Sequence, residues 1–331
     1  MKTYNKKMIF AYFRNPAYCE NLIERDCVKI DVINYAFAKI KNGEVDVSHL
    51  TNLRDVIKLK TKGLKIVIVI DGVSEETRCS FRLISSSEAA REKFSTSVCK
   101  IIEEYNLDGV DLDWEVPTGE IEIENFTLLV KNIRKNLDKL KEKKILSIAI
   151  FSSNFDKHYD LKTLKNYVDY FHIMTYGMGS KKITSHHSPL YCGELSKYSI
   201  SDSVNEVIKR GVDKEKIVFG VPFFVRIGEI VPNGSQILNM PIIDGTFKAI
   251  SNNKFLTEFK TINSFKEYYD EVSEAYYSFD GKTFASYDNP ESIKNKCKFL
   301  VDSGLGGIMF WDYGHDKENG VLLDAIYKSL K

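Results

Sequence analysis

Three carboxylates stand at alternate positions in the run Asp111-Leu112-Asp113-Trp114-Glu115, the spacing at which a β-strand puts side chains on one face. Val110, Leu112 and Trp114 share the other face. Acids so placed lie ~6–7 Å apart, and when buried, both desolvation and mutual repulsion resist their ionisation. The last acid of the row then keeps its proton toward neutral pH, as a general acid must. Two other readings fit a bare D-x-D-x-E: a solvent-facing strand, and a carboxylate metal site such as one for magnesium. No histidine adjoins the run in sequence to complete a mixed ligand set.

The surrounding sequence supplies a frame. Apolar, β-rich runs occur at residues 8–13, 32–38, 64–70, 109–114, 145–151, 170–175, 217–223 and 307–311. Segments with helical periodicity lie between most of them, such as 87–105, 120–141 and 289–302. Ser87 suits a helix start and Pro290 a first turn. Strands that are apolar almost throughout and separated by helices form parallel sheets covered on both faces. Eight such units predict an α/β fold, the (β/α)8 TIM barrel, which needs roughly 250 residues. The chain has 331, and the surplus falls at 227–284, where turn residues and the pairs Tyr268-Tyr269 and Tyr276-Tyr277 replace a βα unit. The expectation is a single catalytic barrel over residues 1–331 with a small insertion at 227–284, between strands 7 and 8. A doubly wound open sheet is the competing fold, but its glycine fingerprint is missing. In a barrel Val110, Leu112 and Trp114 pack outward under helices, the acids point inward, and Glu115 stands at the C-terminal end, where barrel enzymes hold their sites.

Composition narrows the classes. Hydrophobic residues make up 43% and charged residues 28%, with a formal net charge of +1, so no global charge draws the chain to nucleic acid or an anionic membrane. The basic run at 139–144 reads as a solvated helix face. No stretch approaches the ~20 apolar residues of a membrane span. The start MKTYNKKMIFAYF reads as a first strand rather than a signal peptide, which points to the cytoplasm. The six cysteines are scattered, without a C-x-x-C pair, and read as reduced thiols, with a Cys19–Cys27 loop bridge as the exception.

Residues 108–115, read as D-G-V-D-L-D-W-E, match without a gap the D-G-x-D-x-D-x-E signature of glycoside hydrolase family 18, the chitinases and their relatives. Other stretches resemble the same family. Asn34-Tyr35-Ala36-Phe37-Ala38 is similar to its second strand, Met174-Thr175-Tyr176 to its sixth and Phe219-Gly220-Val221-Pro222-Phe223 to its seventh. Residues 287–292 and 304–311 resemble its last helix and eighth strand. The resemblance implies a retaining hydrolase of β-1,4-linked N-acetylglucosamine glycans, chitin or chitooligosaccharides, that uses the substrate's own acetamido group as nucleophile and passes through an oxazolinium ion. It implies Glu115 as acid and then base, Asp113 as holder of the acetamido N–H, Asp111 as sharer of the Asp113 proton, and Tyr176 as donor to the acetamido oxygen. Trp311 would floor the sugar, Tyr12, Phe37 and Met174 would line its walls, and Arg226 would add a substrate contact. His172 reads as barrel core, and Asp108 as fixing the turn into its strand. No metal or cofactor is implied. The resemblance implies an N-acetylglucosamine-containing oligo- or polysaccharide as partner, bound by a monomer, and the family is often secreted, against the cytoplasmic reading of the N-terminus.

Three positions depart from the family pattern. Strand 3 ends Val69-Ile70-Asp71-Gly72 instead of S-x-G-G, strand 6 ends Tyr176-Gly177 where the family has Y-D, and Phe224-Val225-Arg226 stands where Y-G-R is expected. With only two tryptophans, a long aromatic track for crystalline polymer is not expected, and soluble or short glycans fit better. An endo-β-N-acetylglucosaminidase acting on N-glycans or peptidoglycan fragments is the close alternative. A catalytically silent lectin on the same barrel is the alternative from another class.

Overall fold

A computed structural model describes residues 6–14, 25–193, 196–231, 233–234, 236–261 and 264–331. The β-rich runs form β1 (Met8–Phe13) and β2 (Val32–Lys41), which folds back on a short β3 (Glu44–Asp46). β4 (Lys65–Gly72), β5 (Gly109–Trp114), β6 (Ile145–Ile150), β7 (Tyr170–Ile173) and β8 (Ile217–Pro222) follow. Next come β9 (Phe224–Glu229), β10 (Lys248–Ser251), β11 (Lys266–Asp270), β12 (Ala275–Phe279) and β13 (Thr283–Tyr287), and finally β14 (Gly307–Trp311). Among the described residues the helices of ten or more residues are α1 (Glu75–Ser85), α2 (Glu88–Glu104), α3 (Gly119–Leu137), α4 (Ile200–Lys209), α5 (Pro290–Ser303) and α6 (Val321–Leu330).

Parallel pairing runs from β1 through β2, β4, β5, β6, β7, β8 and β14 back to β1, closing the (β/α)8 barrel that the eight apolar runs foretell. Both strand faces are buried, and each has its own core. Outside, Trp114 stacks on Phe81 of α1 at 5.3 Å and meets Phe126 of α3 edge-on at 5.6 Å. Inside, Phe10, Tyr12, Val67, Val69, Val218 and Met309 fill the lumen. Each such fully buried side chain contributes about 1.5–3 kcal/mol, which holds the acid-bearing β5 between two apolar layers.

Helix starts follow the sequence signals. The Ser87 hydroxyl caps α2 by accepting from the Ala90 N–H at 3.2 Å, and Asn289 caps α5 in a reciprocal box with Ser292, just ahead of Pro290. One helix is shorter than its periodicity implies. α3 stops at Leu137, so the basic run at 139–144 lies beyond the helix rather than on its face. Arg134 of α3 donates to the Lys144 carbonyl at 2.9 Å and draws the chain back toward β6.

Between β8 and β14 stands an antiparallel sheet in the order β10-β9-β13-β12-β11. It runs from Phe224 to Tyr287, outside the 227–284 bounds, because β9 starts directly after Phe223 and pairs with β13. Its tyrosines face each other across β11 and β12: Tyr268 stacks on Tyr277 at 5.1 Å, and Tyr269 lies 4.7 Å from Tyr276. A buried ion pair fixes the way into α5, where Lys296 Nζ donates to both Asp288 carboxylate oxygens at 2.6 and 2.7 Å and to Ser188 Oγ at 3.0 Å. Cys79, Cys99, Cys192 and Cys297 are free thiols, while Cys19, and with it the loop bridge to Cys27, lies outside the described residues. Among the described residues no helix is long and apolar enough to cross a membrane.

Candidate active site

β5 carries its acids inward as alternation requires. Asp111, at mid-barrel, is fully buried and accepts from Tyr12 Oη at 2.8 Å and from Ser147 Oγ at 2.5 Å. His172 Nδ1 lies 2.8 Å from the same Tyr12 hydroxyl, so His172 is a hydrogen-bonded member of the barrel core. Burial pushes its pKa down, against the pull of Asp111. Asp108, at the foot of the strand, accepts from the Ile66 N–H at 2.7 Å and from Lys60, tying the start of β5 to β4.

Asp113 stands above Asp111, in register with Asp71 on β4. It is 4% exposed, and its Oδ1 is buried without a hydrogen-bond partner. Burial first, then the charges of Glu115, Asp111 and Asp71, hold its carboxyl well above the usual range. Glu115 follows the last residue of β5, and its N–H donates to the Gly72 carbonyl at 3.1 Å. Burial raises its pKa, the Arg78 guanidinium opposes that, and Asp71 adds to it. Arg78 donates to the Glu115 backbone carbonyl at 3.1 Å, which keeps that cation beside the acid.

Asp113 and Glu115 open into a cleft of about 770 Å³ formed at the C-terminal strand ends, as the barrel predicts. Trp311 ends β14 there, with ring centroids 5.6 Å from Tyr12 and 5.7 Å from Phe37. Met174, Tyr176 and Arg226 line the same space. Tyr176 reaches it from beyond the end of its strand. β7 ends at Ile173, and Thr175 turns in to donate to the Gly220 carbonyl at 2.6 Å and accept from the Gly220 N–H at 3.0 Å. A Cβ at Gly220 would come within 2.6 Å of the Tyr176 ring, so this glycine makes room for it. Burial and then the charges of Asp113 and Glu115 raise the Tyr176 hydroxyl pKa well above normal, keeping it a donor.

The cleft thus gathers Tyr12, Phe37, Asp113, Glu115, Met174, Tyr176, Arg226 and Trp311. Asp111 is not on its surface; its hydrogen bonds go to Tyr12 and Ser147 rather than to Asp113, which it reaches through its charge. Of the departing positions, Asp71 and Gly177 line the cleft, whereas Val225 is buried in the core of the insertion sheet. The tyrosine pairs of β11 and β12 stand outside the cleft lining. Sequence reasoning did not assign Arg14, Phe151 or Lys181, which also line it. Arg14 and Phe151 stand two residues beyond the inward Tyr12 and Ala149, so extending strand parity one step past each strand end finds them. Arg14 donates to Asp312 at 2.6 Å and lies 4.9 Å from the Trp311 ring. Lys181 sits in the long connection after β7 and has no periodic signal. Among the described residues no three His, Cys, Asp or Glu side chains converge to hold a metal ion.

The chain is similar to known proteins in sequence and fold. The family model for glycosyl hydrolases family 18 matches residues 8–316. Chitinase A1 of Niallia circulans is 30% identical over 301 residues, 80% of this chain and 43% of its own length. Endochitinase 1 of Metarhizium robertsii is 29% identical over 284 residues, 80% of this chain and 64% of its own. The chain therefore spans less than two thirds of these curated relatives. A solved structure of a family 18 N-acetylglucosaminidase from Paenibacillus barengoltzii superposes with a TM-score of 0.90 at 32% identity, covering 98% of this chain and all of that one. The closed barrel, the acids of β5 and the match over residues 8–316 make this chain a member of glycosyl hydrolases family 18.

Proposed function

We propose that the chain is a retaining hydrolase of β-1,4-linked N-acetylglucosamine glycans, working by substrate assistance. The observation that carries this reading is Asp113: a buried carboxyl on the cleft wall, held above its usual pKa, with one oxygen lacking any partner. An unmatched buried acceptor costs free energy in the empty protein, about 1–3 kcal/mol or more, and an acetamido N–H would relieve that cost. Glu115, its pKa raised, donates a proton to the glycosidic oxygen as the bond to the anomeric carbon breaks. The acetamido carbonyl oxygen attacks that carbon and gives an oxazolinium ion, while Asp113 holds the N–H and Tyr176 donates to the oxygen. The Glu115 carboxylate then takes a proton from water, which opens the ring from the face the aglycone left, for net retention. Trp311 offers its ring as the floor.

The relatives from Niallia and Metarhizium carry the names chitinase and endochitinase, which supports chitin-type glycans as substrates. The Paenibacillus relative is called an N-acetylglucosaminidase, which favours that activity as the second reading; product sizes from a chitooligosaccharide ladder separate the two. High-mannose glycoprotein and peptidoglycan fragments belong in the same panel. Turnover of a fluorogenic chitobioside or chitotrioside, lost by about 10²–10⁴-fold in Glu115→Gln, is the expected result. Binding without turnover, unchanged by Glu115→Gln, would establish a lectin instead, and an initial product of inverted anomeric configuration would exclude substrate assistance.

A further inference from the structure

Besides Arg226, Arg14 lines the cleft and pairs with Asp312; Arg78, which reaches the Glu115 carbonyl, pairs with Glu75. Arg226 has no acidic partner among the described residues. Its Nη1 donates to the Gly177 carbonyl at 3.0 Å and more distantly to that of Gly179, and its guanidinium lies 5.6 Å from the Phe247 ring. All three partners are uncharged. The side chain is half-buried, and burial lowers its pKa with no acid offsetting the loss. Gly177, the neighbouring position where a carboxylate could stand, has φ +73°, and a Cβ there would lie 2.8 Å from Arg226 Nη2. The cation is close to the reacting groups: Gly177 follows Tyr176 in the chain, and Phe224, two residues before Arg226 on β9, meets the Tyr176 ring edge-on at 5.8 Å. Lys181, exposed and also without an ion pair among the described residues, lines the same cleft.

We propose that Arg226, aided by Lys181, is a subsite for a carboxylate, and that the preferred glycan carries an acidic sugar beside the N-acetylglucosamine whose linkage is cleaved. This narrows the substrate of the hydrolase proposed above and rests on that reading. A guanidinium matches a carboxylate through two parallel charge-assisted hydrogen bonds, whereas a neutral glycan offers it only uncharged hydroxyl, ether and acetamido oxygens in exchange for water. Two sugars supply this chemistry, a 3-O-lactyl-substituted N-acetylglucosamine and a uronic acid.

The test compares kcat/KM on three tetrasaccharides with β-1,4-linked N-acetylglucosamine: one neutral, one alternating with the lactyl-substituted sugar, and one alternating with glucuronic acid. One acidic substrate is expected to exceed the neutral one by about 10-fold or more, and which one it is identifies the source. That ratio is expected to fall by about 10-fold in Arg226→Gln, by less in Lys181→Gln, and progressively as salt is raised. Gly177→Asp, which brings a counter-charge to the guanidinium, is expected to lower the ratio more than Gly177→Asn, separating charge from bulk. Lys181→Gln, at an exposed position, keeps the test usable if Arg226→Gln does not fold. A neutral substrate cleaved as well as both acidic ones, with a ratio that no variant moves, overturns the subsite. Failure to cleave any of the three overturns the hydrolase reading instead, and the same ratios, read as Kd by calorimetry, then decide the subsite.

Discussion

The two sides of the cleft are built from different material. One is the strand wall of β4 and β5, where Asp71, Asp113 and Glu115 are set by main-chain register and backed by Trp114 and Phe81. The other, with Lys181, Phe224 and Arg226, comes from the connection after β7 and from β9 of the inserted sheet. The first wall crowds like charges where water is scarce, so Asp113 and Glu115 keep their protons above the usual carboxylate range. The second carries Arg226, whose partners are neutral, and Lys181, which has no ion pair among the described residues. A rigid wall suits chemistry, which needs its groups within fractions of an ångström, and a wall made of loop and insertion can change its sugar preference without disturbing that chemistry.

The largest expected effect outside Glu115 itself is at Asp113. Asp113→Asn should lower kcat on a chitotrioside by about 10²-fold or more, as for loss of one electrostatic contact to a charged intermediate. The same variant should gain stability at high pH. The folded chain holds the Asp113 proton through a window in which the unfolded chain has released it, so wild-type stability falls as pH rises from the ordinary carboxylate range toward the raised folded value. Asparagine has no such proton. Its melting temperature should exceed that of wild type at pH 8, and the gap should close toward pH ~4; a gap of equal size at both pH values would show that the strand wall does not hold a buried acid.

Tyr176→Phe tests the junction of the two walls, since the ring touches Phe224 and faces Asp113. Losing one donor should cost about 10–100-fold in kcat, with KM on a neutral substrate moving less. The smallest effects are opposite in sign. Asp71→Asn removes a charge that raises the Glu115 pKa, so the alkaline limb of the kcat/KM profile should move to lower pH. Arg78→Gln removes the opposing cation, so the limb should move to higher pH. Shifts in the same direction would mean that Glu115 does not set that limb.

The strand wall was legible because a period of two, once the barrel is recognised, fixes which side chain faces inward. Asp111, Asp113, Glu115 and Trp311 all lie where alternation and strand order put them. Tyr176 reached the cleft from beyond the end of its strand: β7 stops early, and the Thr175 hydroxyl replaces its ladder hydrogen bonds, which parity cannot foresee. Lys181 was not legible, because a loop residue is positioned by contacts far away in sequence. Val225 illustrates the converse. It departs from the family pattern, yet its side chain is buried in the insertion core and not in the cleft, since strand β9 directs Phe224 and Arg226 one way and Val225 the other.

The seam between β1 and β14 joins the first barrel strand to the last, and Arg14, Asp312 and Trp311 cluster at its upper end. A chain emerging from the ribosome in sequence order therefore has its acids long before it has the ring proposed as the floor of the sugar site. The carboxylates of β5 wait for almost two hundred further residues before Trp311 exists. A chain cut before Gly307 lacks the strand that closes the ring between β8 and β1 and is expected to show no turnover even with every β5 acid in place.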